Sequence, residues 1–413
     1  MMAKSVKKTD AGKAEYLFKE ISRWENLKII TKVQSQKIRS LYSKDADTAE
    51  QHLTLANYIA IFGTIMIGVG VILFFALNWA TIPKTVKVFS IIAALVASQH
   101  IGFVMRYQKH TLPKVGATLI FLGCIFFGSG IFLIAQIYNI NAHWPNGFLF
   151  WTLGIIAIAY LSMLVPIVFL MIVTATAYII SESMYWFGLV DRYSYVPYAF
   201  FLVLLAMGIL YYMLGLIHER KVLLKKISYP FHLVGAFFIL ASMYLFSFKD
   251  FARPDALVER IQRASVLFQS RFWLIFLLLA GTAILSWVYV FMQRDRKNVM
   301  EFYELFIPVS LLVFTPVVAL FARYNFWLMP VIFNIILFIL IIGVMYLGIA
   351  KKDKTLVNMS LFAFGVAVFS RYVEYLWNVI NGYLFFLIAG LLLIGLAILL
   401  EKNRRKLFLR LEE

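Results

Sequence analysis

A few polar side chains interrupt long apolar runs, and these are the positions where the chain could do chemistry: Asn78, Gln99, His100, Gln136, Tyr138, Glu182, Asn334, Arg371 and Glu374. A charge within hydrocarbon costs about 2.5 to 3.5 kcal/mol on insertion scales, so it calls for a partner or water. Arg371 and Glu374 stand at i, i+3 and can pair on one helix face, either as a structural ion pair or as part of a substrate site. Glu182, between Ser181 and Ser183, suits a proton or cation acceptor, or plain interfacial solvation. Gln136, shortly before Tyr138, is the best uncharged candidate for substrate contact, with an interhelical hydrogen bond as the alternative. With Asn78 these two predict an outward-facing polar pocket. The ligand-binding set is therefore Asn78, Gln136, Tyr138, Glu182, Arg371 and Glu374.

Enzyme chemistry has little to stand on. The six histidines, His52, His100, His110, His143, His218 and His232, form no H-E-x-x-H or Cys/His cluster, and no G-x-S-x-G or phosphate loop occurs. No catalytic residue, metal or cofactor is expected. Cys124 is the single cysteine, which leaves no intrachain disulfide and reads as a small hydrophobe in an apolar run.

The elements that must carry these residues are membrane spans. With 62% hydrophobic and 15% charged residues and a mean hydropathy of +0.83, a water-soluble core could not absorb the apolar side chains. A helical span needs about 20 apolar residues, because every backbone N–H and C=O must be paired inside lipid. Such runs extend over Leu55 to Leu77, Val86 to Met105, Val115 to Ile137, Phe148 to Ser162, Ile167 to Met184 and Val196 to Ile217. Six more cover Phe231 to Phe248, Phe272 to Met292, Phe302 to Phe321, Phe326 to Ile349, Leu356 to Val373 and Tyr383 to Leu400.

Phe148 to Ile180 is long for one span and short for two. Charge decides between them. With two spans there, 29 Lys and Arg lie on the N-terminal side of the membrane and 10 on the other. The positive-inside rule then predicts twelve helices with both termini cytoplasmic, whereas merging the two spans weakens the bias to 22 against 17. Basic loops meeting anionic lipid account for the net charge of +18 without nucleic acid. The largest outer loop, Lys249 to Arg271, shows Leu257, Ile261, Ala264 and Phe268 at helical spacing and reads as an amphipathic surface helix, or as an anion-gathering vestibule.

Ahead of the first span, Leu17, Ile21 and Trp24 recur on one helical face, Ile38, Leu41 and Tyr42 on another, and Thr31-Lys32-Val33-Gln34 between them fits a capping box. This predicts a cytosolic helical hairpin with linker over 1–53, a transmembrane domain over 54–400 and a basic tail over 401–413. The polar start carries no cleavable signal, so the first span is expected to direct insertion. Gly63, Gly68 and Gly70 share their spacing with Gly123, Gly128 and Gly130 at an offset of 60 residues. If this reflects a repeat rather than chance, spans one and three would pack through glycine faces.

The Trp24 to Tyr42 hairpin, Asn78-Trp79, the run from Gly128 to Tyr138, Phe148 to Trp151, Arg371-Tyr372, Gly382 and the Gly390-rich last span together resemble the bacterial predicted-membrane-protein family known as domain of unknown function 2157. The resemblance is most specific over roughly the first 165 residues. It implies a multi-pass protein of the bacterial cytoplasmic (inner) membrane, and it supplies no reaction, substrate or catalytic residue. The fold class expected is all-α and polytopic. Transport or flipping of a small or amphipathic solute leads by analogy of architecture. A non-enzymatic membrane scaffold or sensor, using the hairpin to bind a protein partner, is the alternative, and an embedded enzyme comes last. The bilayer itself is the one partner the composition requires.

Overall fold

The computed structural model describes residues 20–38 in part, 81–186 except 111 and 141, and 198–248, 270–294, 299–321, 328–377, 379 and 383–395. The predicted first span, Gly63, Gly68, Gly70, Asn78, the Lys249 to Arg271 loop up to residue 269 and the tail 401–413 lie outside these residues. Two compact units divide the chain, Met1–Val86 and Lys87–Glu413.

In the first unit, residues 20–25 and 32–35 are helical. Gln34 N–H donates to Thr31 Oγ1 at 3.3 Å while Thr31 N–H donates to Gln34 Oε1 at 2.9 Å. This is the reciprocal capping box its spacing predicts, satisfying amide groups that the first turn leaves free. The Ser35 hydroxyl reaches back to Glu25 Oε2 at 2.7 Å and so ties the two helical pieces together.

The described residues form helices throughout: α1 (Lys84–Phe103), α2 (Pro113–Ile137), α3 (Asn146–Ser162), α4 (Val165–Trp186), α5 (Tyr198–Arg220), α6 (Ser228–Phe246), α7 (Ser270–Met292), α8 (Val299–Phe321), α9 (Leu328–Ala350) and α10 (Lys354–Leu376). A shorter apolar helix, α11, covers Tyr383–Gly395. Among the described residues nine helices are long and apolar enough to cross a membrane, and α3 and α11 are shorter apolar helices. This is a membrane protein whose helices meet the lipid bilayer directly: large apolar side chains such as Phe89, Leu161, Leu285, Phe362 and Phe386 stand exposed on them.

The ambiguous stretch after Phe148 is two helices. Met163 adopts a left-handed conformation (φ 51°) and its N–H closes α3 on Ala159 O, after which Pro166 falls in the first turn of α4, where its missing N–H costs nothing. The Thr152 hydroxyl donates to Thr174 Oγ1 at 2.9 Å, and the two positions are nearly equidistant from the turn. The pair is therefore an antiparallel hairpin with a two-residue connection.

Glycine sets the close approaches. Gly102 and Gly116 bring α1 and α2 together so tightly that a Cβ on either would lie within 3 Å of the other's carbonyl oxygen. Gly208 and Gly235 bring α5 and α6 together in a similar way, a Cβ at Gly208 falling 2.8 Å from Ile239 N and one at Gly235 falling 2.5 Å from Tyr212 N. With no hydrophobic drive between helices in lipid, such backbone contact supplies the dispersion that holds them. α5 is the most enclosed helix of this unit, with Val203, Leu205, Ala206, Met207, Ile209 and Met213 fully buried.

Candidate functional site

The glycine face of α2 finds its described partners on α1 and α3. A Cβ at Gly128 would fall 1.9 Å from the Trp151 indole, one at Gly130 would fall 2.9 Å from Ile91, and one at Gly123 would fall 2.6 Å from the Gln99 amide. Trp151 Nε1–H donates to Cys124 O at 2.9 Å and Gln99 Nε2–H to Ile120 O at 3.3 Å. The α2 glycines therefore seat an indole and an amide. Pairing of Gly128 and Gly130 with Gly68 and Gly70 falls outside the described residues.

Of the polar residues singled out in the sequence, Gln136 is exposed near the end of α2 and Tyr138, which caps that helix, is half exposed. Asn78 lies outside the described residues. Glu182 meets His143 from the α2–α3 connection at 2.5 Å, and the His143 ring contacts Tyr185 edge-on. Arg371 pairs with Glu374, as the i, i+3 spacing predicts, and also donates to Ser247 O at 2.8 Å beneath the Phe248 ring. Asn334 Nδ2–H donates to the same carbonyl at 2.9 Å. His100 is exposed. Among the described residues no group of three His, Cys, Asp or Glu side chains could hold a metal ion.

Among the described residues the densest polar assembly lies at the opposite end of α5, α8 and α10, on residues that the sequence pattern places in loops or does not single out. Lys351, in the turn between α9 and α10, donates to Glu304 Oε1 of α8 at 2.6 Å and to Glu219 Oε2 of α5 at 3.4 Å. The Tyr212 hydroxyl of α5 donates to the same Glu304 oxygen at 2.7 Å. Arg220 pairs with Glu301 of α8 and donates to Val290 O of α7. His232 of α6 places Nε2 3.7 Å from Glu219 Oε2. The Glu304 side chain is only 7% exposed. Burial alone would lower the Lys351 pKa, but the Glu304 and Glu219 carboxylates more than offset it and hold the ammonium above the ordinary lysine range.

Local sequence explains why these groups meet. Glu301 and Glu304 lie one turn apart on one face at the start of α8, while Glu219 and Arg220 close α5. Asp353 fixes the Lys351 turn by capping α10, accepting from Thr355 N–H at 2.8 Å and Leu356 N–H at 3.3 Å. The signal available in the sequence was two acidic residues at the mouth of a span on the strongly basic side, where lone acids are scarce.

α8 itself carries Pro308 and Pro316 inside the helix, which leave the carbonyls of Glu304 and Leu312 without their usual helical donors. Its buried positions, Leu305, Pro308, Leu311, Leu312 and Thr315, form a narrow stripe, and Tyr303, Val313, Phe314 and Val317 are exposed. An open groove of about 460 Å³ runs between α8 and α9, lined by Ser310, Leu311, Phe314, Ile332, Ile335 and Ile336. A second, of about 510 Å³, lies between α2 and α4 against Phe121, Pro166 and Phe169.

Comparison with known proteins agrees with this membrane architecture. Residues 22–187 match the family described as Predicted membrane protein (DUF2157). No curated protein and no solved structure matches the chain. The matched stretch takes in the helical piece over 32–35 and α1 to α4, so the segments carrying the resemblance, Gly128 to Tyr138 and Phe148 to Trp151, are those joined by the seat of Trp151 on Gly128 and by Phe132 packed against Phe148. The charged assembly on α5, α8 and the α9–α10 turn lies beyond it.

Proposed function

We propose that this protein moves a small or amphipathic solute across the bacterial cytoplasmic membrane, as a twelve-helix bundle with both termini inside and no enzymatic activity. The carrying observation is α8. It is a proline-interrupted helix held by a thin buried stripe, clamped at one end by Arg220–Glu301 and Lys351–Glu304 and bordered between its two prolines, at Ser310 to Phe314, by an apolar groove open to the surroundings. A helix so attached can pivot about Pro308 while its clamped end stays docked. The lipid-facing groove suits the apolar part of an amphipathic solute. Ionisable groups inside a membrane bundle mark pathways more often than they mark structure.

The test is reconstitution of the full chain in vesicles containing a trace of headgroup-labelled fluorescent phospholipid, with a membrane-impermeant quencher added outside. Loss of the protected inner-leaflet fluorescence, faster than in protein-free vesicles and blocked by an oxidised Ser310→Cys/Ile335→Cys pair across the groove in a Cys124→Ser background, supports flipping of amphipathic solutes. Fluorescence that stays protected as in protein-free vesicles overturns it.

A scaffold or sensor role is the second reading. Leu27, Ile29 and Val33 stand 60%, 66% and 73% exposed on the N-terminal hairpin, an apolar surface of the kind that a protein partner covers.

A further inference from the structure

The cluster at the clamped end of α8 holds a histidine that the clamp itself does not use. His232 lies on α6 with its ring against Gly215 of α5: a Cβ there would fall 2.3 Å from the ring carbon Cδ2 and 2.8 Å from Nε2. The central helix thus has a glycine where the imidazole enters. The His232 side chain is 13% exposed, and its buried Nε2 makes no hydrogen bond, although Glu219 Oε2 stands 3.7 Å away. Glu219 is also a partner of Lys351.

The engagement of the neighbouring groups points the same way. The charged and titratable groups around the cluster include Tyr212, His218, Glu219 and Arg220 of α5 with Lys221 just beyond it, His232 of α6, Tyr289 of α7 with Arg294 just beyond it, Glu301 and Glu304 of α8, and Lys351 and Asp353 of the α9–α10 turn. Asp353 is engaged in capping α10, and His218 is bonded to Leu214 O and the Tyr160 hydroxyl. In the interlocked set, the carboxylates of Glu219, Glu301 and Glu304 face the fixed cations Arg220 and Lys351. The Glu219 carboxylate, shared with Lys351, stands beside an imidazole nitrogen that makes no hydrogen bond.

We infer that His232 is a proton-binding site that controls how Lys351 is shared between Glu219 and Glu304, and thereby how firmly α8 is clamped. A proton from water at this face adds to the imidazole, giving imidazolium, and returns to water on release; no other bond changes. The imidazolium takes Glu219 as its counter-ion and repels the Lys351 ammonium, which moves fully onto Glu304. Protonation therefore tightens the clamp and deprotonation loosens it. As the coupling proton of a transport cycle this site rests on the transport reading above; as a proton-operated clamp it does not.

The experiment uses the full chain in lipid nanodiscs. Nitrogen-15 spectra of the histidines, assigned by replacing the other five in turn, follow His232 as the pH falls from about 8 to about 3. Spin labels at Val222→Cys and Val299→Cys in a Cys124→Ser background, both on exposed positions, report the distance between the α5–α6 turn and the start of α8. The expected result is conversion of His232 to imidazolium with a narrowing of the label distance distribution in the same window, and loss of that narrowing in His232→Gln. A His232 signal that stays neutral throughout overturns the inference, as does narrowing that persists in His232→Gln. Should that variant not fold, the nitrogen spectrum of the wild-type chain still decides. Lipid transfer in vesicles without a pH-linked clamp defeats the proton site alone, whereas a pH-linked clamp without transfer defeats the transport reading alone.

Discussion

Lys351 shows how one side chain can bind two helices and why its value depends on the carboxylates around it. Its raised pKa means that its contribution is fully present below the ordinary lysine value of about 10.4 and is lost as the pH climbs through the higher folded-state value. Lys351→Met leaves the Glu304 carboxylate, 7% exposed, with the Tyr212 hydroxyl alone. Removing one partner of a buried pair costs about 3 to 5 kcal/mol. Denaturant unfolding in mixed micelles is expected to show that deficit undiminished between about pH 7 and 9.5, then shrinking above about 10.4 as the wild type loses its ammonium. A deficit that ignores pH throughout would mean the charge contributes nothing. The site was only partly legible in the sequence. Pairing of Arg371 with Glu374 follows from local spacing, but Glu219, His232, Glu304 and Lys351 come from four elements, and no local pattern announces that they meet.

At the scale of elements the apolar runs are nearly self-reading, because lipid demands unbroken helix. Val115 to Ile137 and Phe272 to Met292 differ from α2 and α7 by two residues at their starts. The harder break at Met163 rests on a left-handed turn by a residue with no preference for it, and in the sequence Ser162 and Pro166 alone mark it. Packing partners were less visible. The glycine spacing in α2 was legible as a close-contact face, yet what fills it, an indole, an amide and an isoleucine side chain, depends on which helices lie alongside. That lock yields a test. Gly128→Ala puts a methyl group into the Trp151 ring and displaces the donor from Cys124 O, a packing insult of about 1 to 3 kcal/mol. Trp151→Leu alone loses the same contacts. Because both act on one contact, the double variant is expected to unfold well short of the sum of the two single losses, as read by thermal unfolding in detergent. Full additivity would show that the indole and the glycine do not depend on each other.

For the whole molecule, the question is how many times the chain crosses. α3 has 17 residues, about 25 Å at 1.5 Å per residue, which is short of the roughly 30 Å hydrocarbon core. Flanking residues and local thinning absorb such a mismatch at modest cost, and the antiparallel Thr152–Thr174 pairing gives α3 a full-length partner in α4. Between Ile140 and Lys225 the chain then passes through α3, α4 and α5, three crossings, which put those two residues on opposite sides. If α3 and α4 together entered and left by the same face without crossing, only α5 would cross, and the two would again be opposite; if they formed a single crossing, the two would share a side. Lys225 and Lys352 belong to the end where Lys351 meets Glu219, the end that the charge bias predicts to be cytoplasmic. Single cysteines at Ile140, Leu161, Lys225 and Lys352 in a Cys124→Ser background separate all three cases with a membrane-impermeant thiol reagent on intact cells. Twelve crossings require that Ile140 label from outside while Leu161, Lys225 and Lys352 react only after permeabilisation. Labelling of Leu161 from outside would reduce α3 and α4 to a re-entrant pair, and labelling of Ile140 and Lys225 from one side would reduce them to a single crossing.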